Sequence, residues 1–387
     1  MNRETKSPLR VMRLIARMNV GGPAVQVSGL MRGINSIEFD HRLYTGFCAV
    51  DEADYLDSVA TDVKAIRIEG LGRRLSFGGD VRAFISLVKA IRDFKPDVIH
   101  THTAKAGFLG RIASLVSLQK SIRVHTFHGH LLNGYFGSFK RLLVVIAEGS
   151  LAVITQQLLA VGDKVREDLL EAGIGKKEKF GLIPPGLEIG ILPSKPEAKA
   201  FYALNNDRLQ CAFIGRVTQI KRPDRFLDVV KEIKKREVNL DFFIAGDGEL
   251  LEVCRNRIVD EELPVVVLGW QSNIERVLSA ADIVLLTSDN EGTPLSLIQA
   301  GMAGLPVVTT NVGSIPEVVL NHQTGIITEL DVRQIADALE NLANNHALRA
   351  QLGTAAQEFT LANFGVQRLV HDHEELYRRL LSSPTRS

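Results

Sequence analysis

Short apolar runs alternate with amphipathic stretches along the whole chain, a pattern typical of βα units around parallel sheets. In the first half, this pattern predicts strands at 11–17, 42–48, 65–68, 97–100, 123–126, 152–155 and 159–161. In the second half, it predicts strands at 210–214, 241–245, 265–268, 283–286, 307–309 and 325–328. Helical periodicity then runs through 335–342, 348–359 and 366–381. We therefore expect an α/β protein with two Rossmann-like halves.

A proline-rich stretch separates the two halves. Pro184, Pro185 and Gly186, followed by Pro193 and Pro196, interrupt the βα pattern, which places a linker near residues 184–200. A chain of 387 residues fits two domains of about 150–200 residues each. We set the domains at 1–190 and 191–363, with a terminal helix at 364–382 and the active cleft near the linker.

Charge and cysteine content narrow the class of protein. Lys and Arg number 46 against 45 Asp and Glu, so a net charge of +1 disfavours a nucleic-acid partner. Three widely spaced cysteines favour a reducing, cytoplasmic compartment. No apolar run approaches the roughly 18–20 residues that cross a bilayer, so we expect any membrane contact to be peripheral. The basic and apolar segment 139–146 either touches an anionic membrane surface or forms a core-facing helix with a solvated end.

The segment 288–300 carries the strongest chemical signal. It follows a predicted strand, and Thr293 and Pro294 are suited to the N-cap and first turn of a helix. Free backbone N–H groups and the helix dipole would then point at the same pocket as Glu291. This combination suits a nucleotide diphosphate held beside a reacting sugar.

Two glycine-containing loops are further candidates for ligand binding. Gly215 ends a predicted strand, and Arg216 and Lys221 follow it as cations that can bind a diphosphate, or as an ordinary solvated pair. Gly21 and Gly22 precede a helix begun by Pro23, where paired glycines permit close backbone approach to a ligand or form a simple βα turn.

Five histidines lie in two runs at the predicted carboxyl ends of strands, at His100, His102, His125, His128 and His130. Open parallel sheets bind ligands at this edge. A metal site is disfavoured because no acidic or cysteine partner recurs at ligand spacing, and alternation along a strand points neighbouring side chains to opposite faces. We expect no metal.

A nicotinamide oxidoreductase is also disfavoured. The turn at Gly246 and Gly248 has Leu251 where the dinucleotide fingerprint requires a third glycine. Trp270, the single tryptophan, follows the next strand, where stacking on a base competes with plain packing.

Together with the tail 304–308, the segment around Glu291 resembles the paired-glutamate signature of retaining GT-B glycosyltransferases, of the bacterial family 4 or "glycosyl transferases group 1" type. The resemblance implies two Rossmann-like domains facing across a cleft, an acceptor domain at 1–190 and a donor domain at 191–363, with the terminal helix 364–382 packing back on the first. It also implies transfer with retention, no cofactor and no metal, from a nucleotide-sugar donor that is commonly a uridine diphosphate sugar.

The resemblance assigns roles to individual residues. The catalytic set is Glu291 on the sugar hydroxyls, His128 near the anomeric carbon, and Arg216 with Lys221 on the diphosphate. His102 and Lys105 are assigned to an acceptor or sugar contact, and His100 and His125 to structure. The remaining donor-binding positions are Gly21, Gly22, Gly215, Trp270, Thr293, Pro294, Leu295 and Gln299.

One position departs from the family signature: Gln299 replaces the second glutamate. A neutral amide can still bond a ribose hydroxyl through its oxygen. The departure keeps open a catalytically weakened sugar-nucleotide-binding partner or scaffold, and a nucleotide-sugar 2-epimerase is the other alternative. The chain resembles bacterial transferases of surface polysaccharide and cell-envelope synthesis, which implies a glycan or lipid-linked acceptor at the cytoplasmic face of the membrane.

Overall fold

The computed structural model describes residues 7–50, 52–129 and 138–382, so His130 lies outside the described residues. The chain divides into two compact units. Unit 1 contains the described residues up to Gly186 and those from Val366 onward, and unit 2 is Leu187–Gly365. Each unit is an α/β body built on its own parallel sheet.

The sheet of unit 1 has seven strands, and every neighbouring pair is parallel. The strand order is β3-β2-β1-β4-β5-β6-β7. The strands are β1 (Leu9–Ile15), β2 (Phe39–Thr45), β3 (Ala65–Arg67), β4 (Val98–His102), β5 (Ile122–Phe127), β6 (Gln157–Ala160) and β7 (Phe180–Leu182). The helices are α1 (Gly22–Gly33), α2 (Tyr55–Ser58), α3 (Phe77–Phe94), α4 (Ala104–Val116), α5 (Ser138–Ile154), α6 (Asp163–Glu171) and the terminal α15 (Val366–Ser382), with a 3-10 turn at Lys177–Lys179.

Helix α15 packs closely against α1. A Cβ on Gly29 would lie 2.8 Å from Val366, and one on Gly33 would lie 2.4 Å from Val370, so only glycine allows this approach. Tyr377 of α15 is fully buried in the same apolar cluster as residues of β1 and α1. The last helix of the chain is therefore part of the core of unit 1.

The sheet of unit 2 has six parallel strands in the order β10-β9-β8-β11-β12-β13. The strands are β8 (Leu209–Ile214), β9 (Leu240–Ala245), β10 (Val265–Gly269), β11 (Ile283–Leu286), β12 (Val307–Thr310) and β13 (Gly325–Thr328). The helices are α7 (Lys195–Phe201), α8 (Pro223–Lys235), α9 (Leu251–Asp260), α10 (Ile274–Ala280), α11 (Leu295–Met302), α12 (Ile315–Val318), α13 (Val332–Asn344) and α14 (His346–Phe364), with a 3-10 turn at Gln219–Lys221.

The prediction of a strand at 152–155 is wrong, because residues 152–154 form the end of α5. Sequence periodicity alone cannot distinguish a short apolar run in a buried helix from a buried strand. The sequence pattern also missed β7, a three-residue, half-buried strand. The other predicted strands are present, with ends shifted by up to three residues.

Strand order reverses direction once in each sheet, between β1 and β4 in unit 1 and between β8 and β11 in unit 2. Ligands of open α/β sheets bind at the carboxyl ends of strands at such switch points. Within the described ranges, none of the helices combines the length and apolarity that a membrane span needs.

Candidate functional site

Glu291 lies just after β11, at the switch point of unit 2, and is 8% exposed. Its Oε1 accepts hydrogen bonds from Lys221 Nζ and from Ser288 Oγ, each at 2.5 Å. Its carbonyl oxygen accepts from the backbone N–H of Ser314 at 3.0 Å. A carboxylate with two charge-assisted partners on one oxygen is held in a fixed orientation.

Hydrogen bonds connect the loops after β8 and β11 around the Lys221–Glu291 ion pair. The Asp289 N–H donates to the Ile220 carbonyl at 2.9 Å, and the Thr287 hydroxyl donates to the Lys221 carbonyl at 3.2 Å. The buried guanidinium of Arg225 donates to the Thr287 carbonyl and to Asp289 Oδ1, both at 2.7 Å. Lys221 and Glu291 are therefore placed by backbone contacts as well as by their own attraction.

Arg216 lies on the same β8 loop, with its side chain exposed and no ion pair or side-chain hydrogen bond to the rest of the described chain. Gly215 before it has φ 149°, a conformation that favours glycine. A Cβ on Gly246 would lie 1.8 Å from the Gly215 carbonyl oxygen, so the glycine turn after β9 packs directly beneath this loop. The loop is well supported while its guanidinium stays available to a ligand.

Helix α11 begins one residue later than the sequence predicts. Pro294 has an extended ψ of 106° and takes the N-cap position, without a side-chain cap, and Leu295 is the first helical residue. The expected N-cap role of Thr293 is therefore wrong, because the chain has not yet entered helical geometry there. The first N–H groups of the helix still follow Glu291 closely in the chain.

Gln299 lies in α11, half-buried, and its amide makes no hydrogen bond to another described residue. Trp270 follows β10, the edge strand, and is 44% exposed. Plain core packing therefore does not account for Trp270. Both side chains keep surface that a ligand can use, at the carboxyl edge of the sheet.

At the switch point of unit 1, Gly21 caps α1 and Gly22 is its first residue. The Gly21 carbonyl accepts from the N–H groups of Ala24 and Val25 at 3.1 and 3.2 Å. Neither glycine has a side chain to cover the helix N-terminus, which suits binding of an anion.

Described histidines of unit 1 are linked by short hydrogen bonds. His102 Nδ1 lies 2.7 Å from His128 Nε2, and His102 Nε2 lies 2.7 Å from a guanidinium nitrogen of Arg13. Arg13 is fully buried in β1. No group of three or more histidines, cysteines or acidic residues is placed to hold a metal ion in the parts of the chain that the structure describes.

A second branch leaves the same arginine. Arg13 donates to the hydroxyl oxygen of Tyr377 at 2.7 Å, and that hydroxyl lies 2.7 Å from Nδ1 of buried His100. His100 Nε2 in turn lies 2.7 Å from the Thr126 hydroxyl oxygen. His125 is also buried and bonds the Thr101 hydroxyl at 2.8 Å. His100 and His125 thus have partners within the fold.

Two residues that were expected to contact ligand, His102 and Lys105, have hydrogen-bond partners within the fold. Both ring nitrogens of His102 are occupied, which leaves it no polar atom to offer an acceptor or sugar. The Lys105 ammonium donates to the carbonyls of Gly70 and Arg74 and pairs with Asp80 at 2.5 Å. Lys105 fastens the loop before α3, because the neighbouring carbonyls and carboxylate take up its three hydrogens.

Burial keeps the histidines of this cluster neutral. Loss of hydration, reinforced by the charge of Arg13, lowers the pKa of His128 to about 3. Burial likewise lowers the pKa of His100 and of His102 well below the ordinary value, with the neighbouring positive groups acting in the same direction. At neutral pH the cluster therefore holds one charge, on Arg13.

Sequence reasoning missed Arg13, Tyr377 and Thr103. For Arg13 the sequence offered a signal, because an arginine interrupts the apolar residues of β1 at 11–15. No local pattern marks Tyr377. Thr103, between His102 and α4, has φ 65°, and its hydroxyl oxygen accepts from the Ala16 N–H at 3.2 Å. A β-branched residue in this region is strained, a feature that clusters at functional sites.

Two family models match the chain. The family model "Glycosyl transferases group 1" matches residues 194–359, and "Glycosyl transferase 4-like domain" matches residues 21–186. The UDP-Gal:alpha-D-GlcNAc-diphosphoundecaprenol alpha-1,3-galactosyltransferase of Escherichia coli is 28% identical over 334 residues, covering 84% of this chain and 85% of that protein. The capsular polysaccharide biosynthesis glycosyltransferase CapM of Staphylococcus aureus is 23% identical over 319 residues, covering 80% and 83%.

The fold is similar to that of a solved structure. Anabaena HepE, solved in complex with UDP, superposes with a TM-score of 0.80 at 18% identity, covering 96% of this chain and 100% of that one. The chain therefore belongs to the group 1 glycosyl transferases of bacteria, with a glycosyl transferase 4-like first half, and its two parallel-sheet α/β units have the GT-B fold.

Proposed function

We propose that this glycosyltransferase moves a hexose-type sugar from a uridine diphosphate sugar to a glycan or lipid-linked acceptor, with retention of anomeric configuration and without a metal. The bond between the anomeric carbon and the diphosphate oxygen breaks, and a bond to the acceptor hydroxyl oxygen forms. The acceptor's proton leaves with the nucleoside diphosphate. The observation that carries the proposal is the Lys221–Glu291 pair beside the unpaired Arg216, at the switch point of unit 2.

The charges of this site fit the proposed roles. Arg216 has a free guanidinium, and Lys221 uses one of its three hydrogens on Glu291, so both can bind phosphate oxygens. Cations held in place before the reaction stabilise charge that develops on the leaving diphosphate. Glu291 is the proposed contact to the sugar hydroxyls. In unit 1, His128 is the proposed contact to the donor sugar, and Gly21 and Gly22 leave a helix N-terminus uncovered.

The names of similar proteins support the donor and acceptor classes. The Escherichia coli relative is named for UDP-galactose and for a diphosphoundecaprenol-linked acceptor, and HepE was solved with UDP. The neutral amide of Gln299, which has no hydrogen-bond partner in the described chain, can bind a ribose hydroxyl. Binding a ribose hydroxyl does not require a charged carboxylate. No cofactor is required by this chemistry.

Gln299 also favours a second candidate, a sugar-nucleotide-binding partner protein with weakened transfer. The two candidates share the donor site and differ in turnover. No contact in the described chain specifically favours the 2-epimerase alternative.

The proposed lipid-linked acceptor requires contact with the cytoplasmic face of a membrane, and α5 offers a surface for it. Arg141, Leu142, Leu143 and Ile146 are exposed on this helix, while Val144 and Val145 pack toward the core. Basic and apolar groups on one helix suit an anionic lipid surface. Sedimentation with vesicles of anionic and of neutral phospholipid tests the contact: Leu142→Ser with Leu143→Ser should reduce binding to anionic vesicles. Equal binding by this variant would argue against the surface.

A calorimetric donor screen tests the function. Uridine, guanosine and adenosine diphosphates and their sugars are titrated with and without EDTA, and we expect one uridine ligand to bind equally well in both. Anomeric proton NMR of the product then decides between retention and inversion. Binding without turnover on any lipid-linked acceptor would favour the partner protein, and absence of any nucleotide binding would refute both candidates.

A further inference from the structure

We propose that Arg13 is a positioning residue that fixes the ring tautomer of His128, so that this histidine presents Nδ1–H as a hydrogen-bond donor. The proposal rests on the proposed function, in which His128 contacts the donor sugar. The chain of contacts from Arg13 to His128 lies wholly in unit 1.

The surroundings of Arg13 are unusual for a buried charge. Its side chain is fully buried, and its three nitrogens donate to His41 Nε2 at 2.9 Å, His102 Nε2 at 2.7 Å and the Tyr377 hydroxyl at 2.7 Å. No carboxylate pairs with it in the described chain. Burying an uncompensated charge is costly, and apolar replacements are often more stable. A contribution to stability therefore does not explain this arginine.

The direction of each hydrogen bond follows from the chemistry of the guanidinium, which only donates. His102 Nε2 must accept from Arg13, so the proton of the neutral His102 ring is on Nδ1. That Nδ1–H then donates to His128 Nε2 at 2.7 Å, which must accept in turn. The proton of the neutral His128 ring is therefore on Nδ1.

His128 Nδ1 is buried and has no hydrogen-bond partner among the residues that the structure describes. A buried donor without a partner costs free energy, and such groups are rare. In the line from Arg13 through His102 to His128, the hydrogen bonds of Arg13 and His102 are satisfied and this N–H is the free end; His41 Nδ1, on the other side of Arg13, also has no partner among the described residues. A ligand oxygen at His128 would complete this line.

The rest of the cluster holds Arg13 in this orientation. His41 from β2, His100 and His102 from β4, and His373 and Tyr377 from α15 surround it, and His100 stacks on His102 with ring centroids 4.5 Å apart. Burial and the charge of Arg13 lower the pKa of His41, whereas burial raises the pKa of Tyr377. All these neighbours stay neutral, so none can give Arg13 its counter-charge or compete for its hydrogens.

A fixed Nδ1–H suits His128 to donate a hydrogen bond to a sugar hydroxyl or a developing oxyanion, and does not suit it to transfer a proton. Because His128 cannot take a proton at neutral pH, its contribution is a directed hydrogen bond. Arg13 would set that direction from two side chains away, as a partner that orients a functional histidine does.

The test uses Arg13→Met, Arg13→Lys and the control Arg123→Met in the full chain. Arg123 is a half-buried arginine in β5 whose Nε donates to the Ile154 carbonyl at 2.6 Å, and it makes no hydrogen bond to a histidine of the described residues. Long-range ¹H–¹⁵N NMR of the histidine rings reports which nitrogen of His128 carries the proton, and a donor-turnover assay with uridine diphosphate sugars gives kcat and KM.

We expect wild type and Arg123→Met to hold the His128 proton on Nδ1. Arg13→Met should give a mixture of tautomers and a kcat about 10- to 100-fold lower, the loss typical when the partner of a functional histidine is removed. Affinity for UDP itself should change by less than about twofold. Arg13→Lys, which retains a charged donor, should recover the wild-type tautomer and part of the turnover.

A wild-type proton on Nε2 of His128, or an Arg13→Met protein with unchanged tautomer and kcat, would overturn the proposal. If Arg13→Met does not fold, the wild-type spectrum and Arg13→Lys still decide it. Failure of the proposed function is seen separately, because the ring spectra need no substrate. Absent donor binding together with the Nδ1–H tautomer would refute the transferase role of His128 and leave the positioning by Arg13 supported.

Discussion

Replacing Glu291 by Gln should strengthen UDP binding while it lowers turnover. In the free protein the Glu291 carboxylate partly neutralises Lys221, whose Nζ lies 2.5 Å from Oε1. The glutamine keeps the shape and can still accept from Ser288, but it frees the ammonium for phosphate. It also removes the repulsion between the carboxylate and an incoming diphosphate. A residue serving only structure would not give these opposite effects.

The magnitude follows from Coulomb's law. If a phosphate oxygen contacts Lys221 on the side away from Glu291, the two negative groups are separated by about 5 Å, and at an effective dielectric constant of about 20 their repulsion is about 3 kcal/mol. Solvent and salt reduce this to about 1–2 kcal/mol, which corresponds to roughly 5- to 30-fold tighter binding. Loss of the buried ion pair should cost about 1–3 kcal/mol of stability, less than for a fully buried pair because Lys221 is partly exposed.

Isothermal titration with UDP at two salt concentrations measures the gain, and turnover of the UDP-sugar measures the loss. Asp207→Asn is the matched control, since it removes an exposed carboxylate just before β8, at the opposite edge of the same sheet. Its effect on UDP affinity should stay within about twofold. Unchanged or weaker UDP binding by a folded Glu291→Gln protein would refute the placement of the diphosphate at Lys221.

Three further outcomes are expected. Arg216→Ala should cost roughly 2–4 kcal/mol of transition-state stabilisation, measured as kcat/KM, and unchanged turnover would remove Arg216 from the diphosphate site. Gln299→Glu should leave activity within about tenfold if the amide binds ribose, whereas a large gain would mark this chain as a weakened transferase. The free energy of unfolding should fall as the pH is lowered through about 6.5, because the unfolded chain then protonates histidines that the fold keeps neutral. Four of these are fully buried, and at about 1.2 kcal/mol each between pH 7 and 5.5 these four alone predict a loss of about 5 kcal/mol; a flat profile in urea titrations would contradict this. The four are His100, His102, His125 and His373.

The sequence was sufficient to predict the alternation of strands and helices and the edge of the sheet where the candidate residues gather. The strand before Ser288 and the turn at the glycine after β8 are each determined by neighbouring residues, so hydrophobic periodicity and turn chemistry predict them. The run at 152–155 failed because its apolar character is shared by strands and buried helices. The entry into α11 was displaced by one residue for a comparable local reason, the extended ψ of Pro294.

The contacts around His128 were beyond sequence reasoning. Arg13 and His102 are 89 residues apart, and Arg13 and Tyr377 are 364 apart, so their meeting depends on strand order and on the packing of the last helix. Periodicity indicates which face a side chain takes but not which distant residue shares it. His102 and Lys105 were expected to contact ligand because they lie at the right edge. Their polar atoms are already used by partners that only the fold brings close.

The two units prepare the same edge of a parallel sheet by different electrostatic means. In unit 2 the cation Lys221 has an anionic partner, Glu291, so an arriving diphosphate can share the cation without leaving a bare buried charge when the site is empty. In unit 1 the cation Arg13 has only neutral acceptors, so its hydrogens set proton positions instead of attracting an anion. An exchangeable ion pair suits a group that is bound and released in each turnover. A fixed chain of donors suits a contact whose direction must stay the same from one turnover to the next.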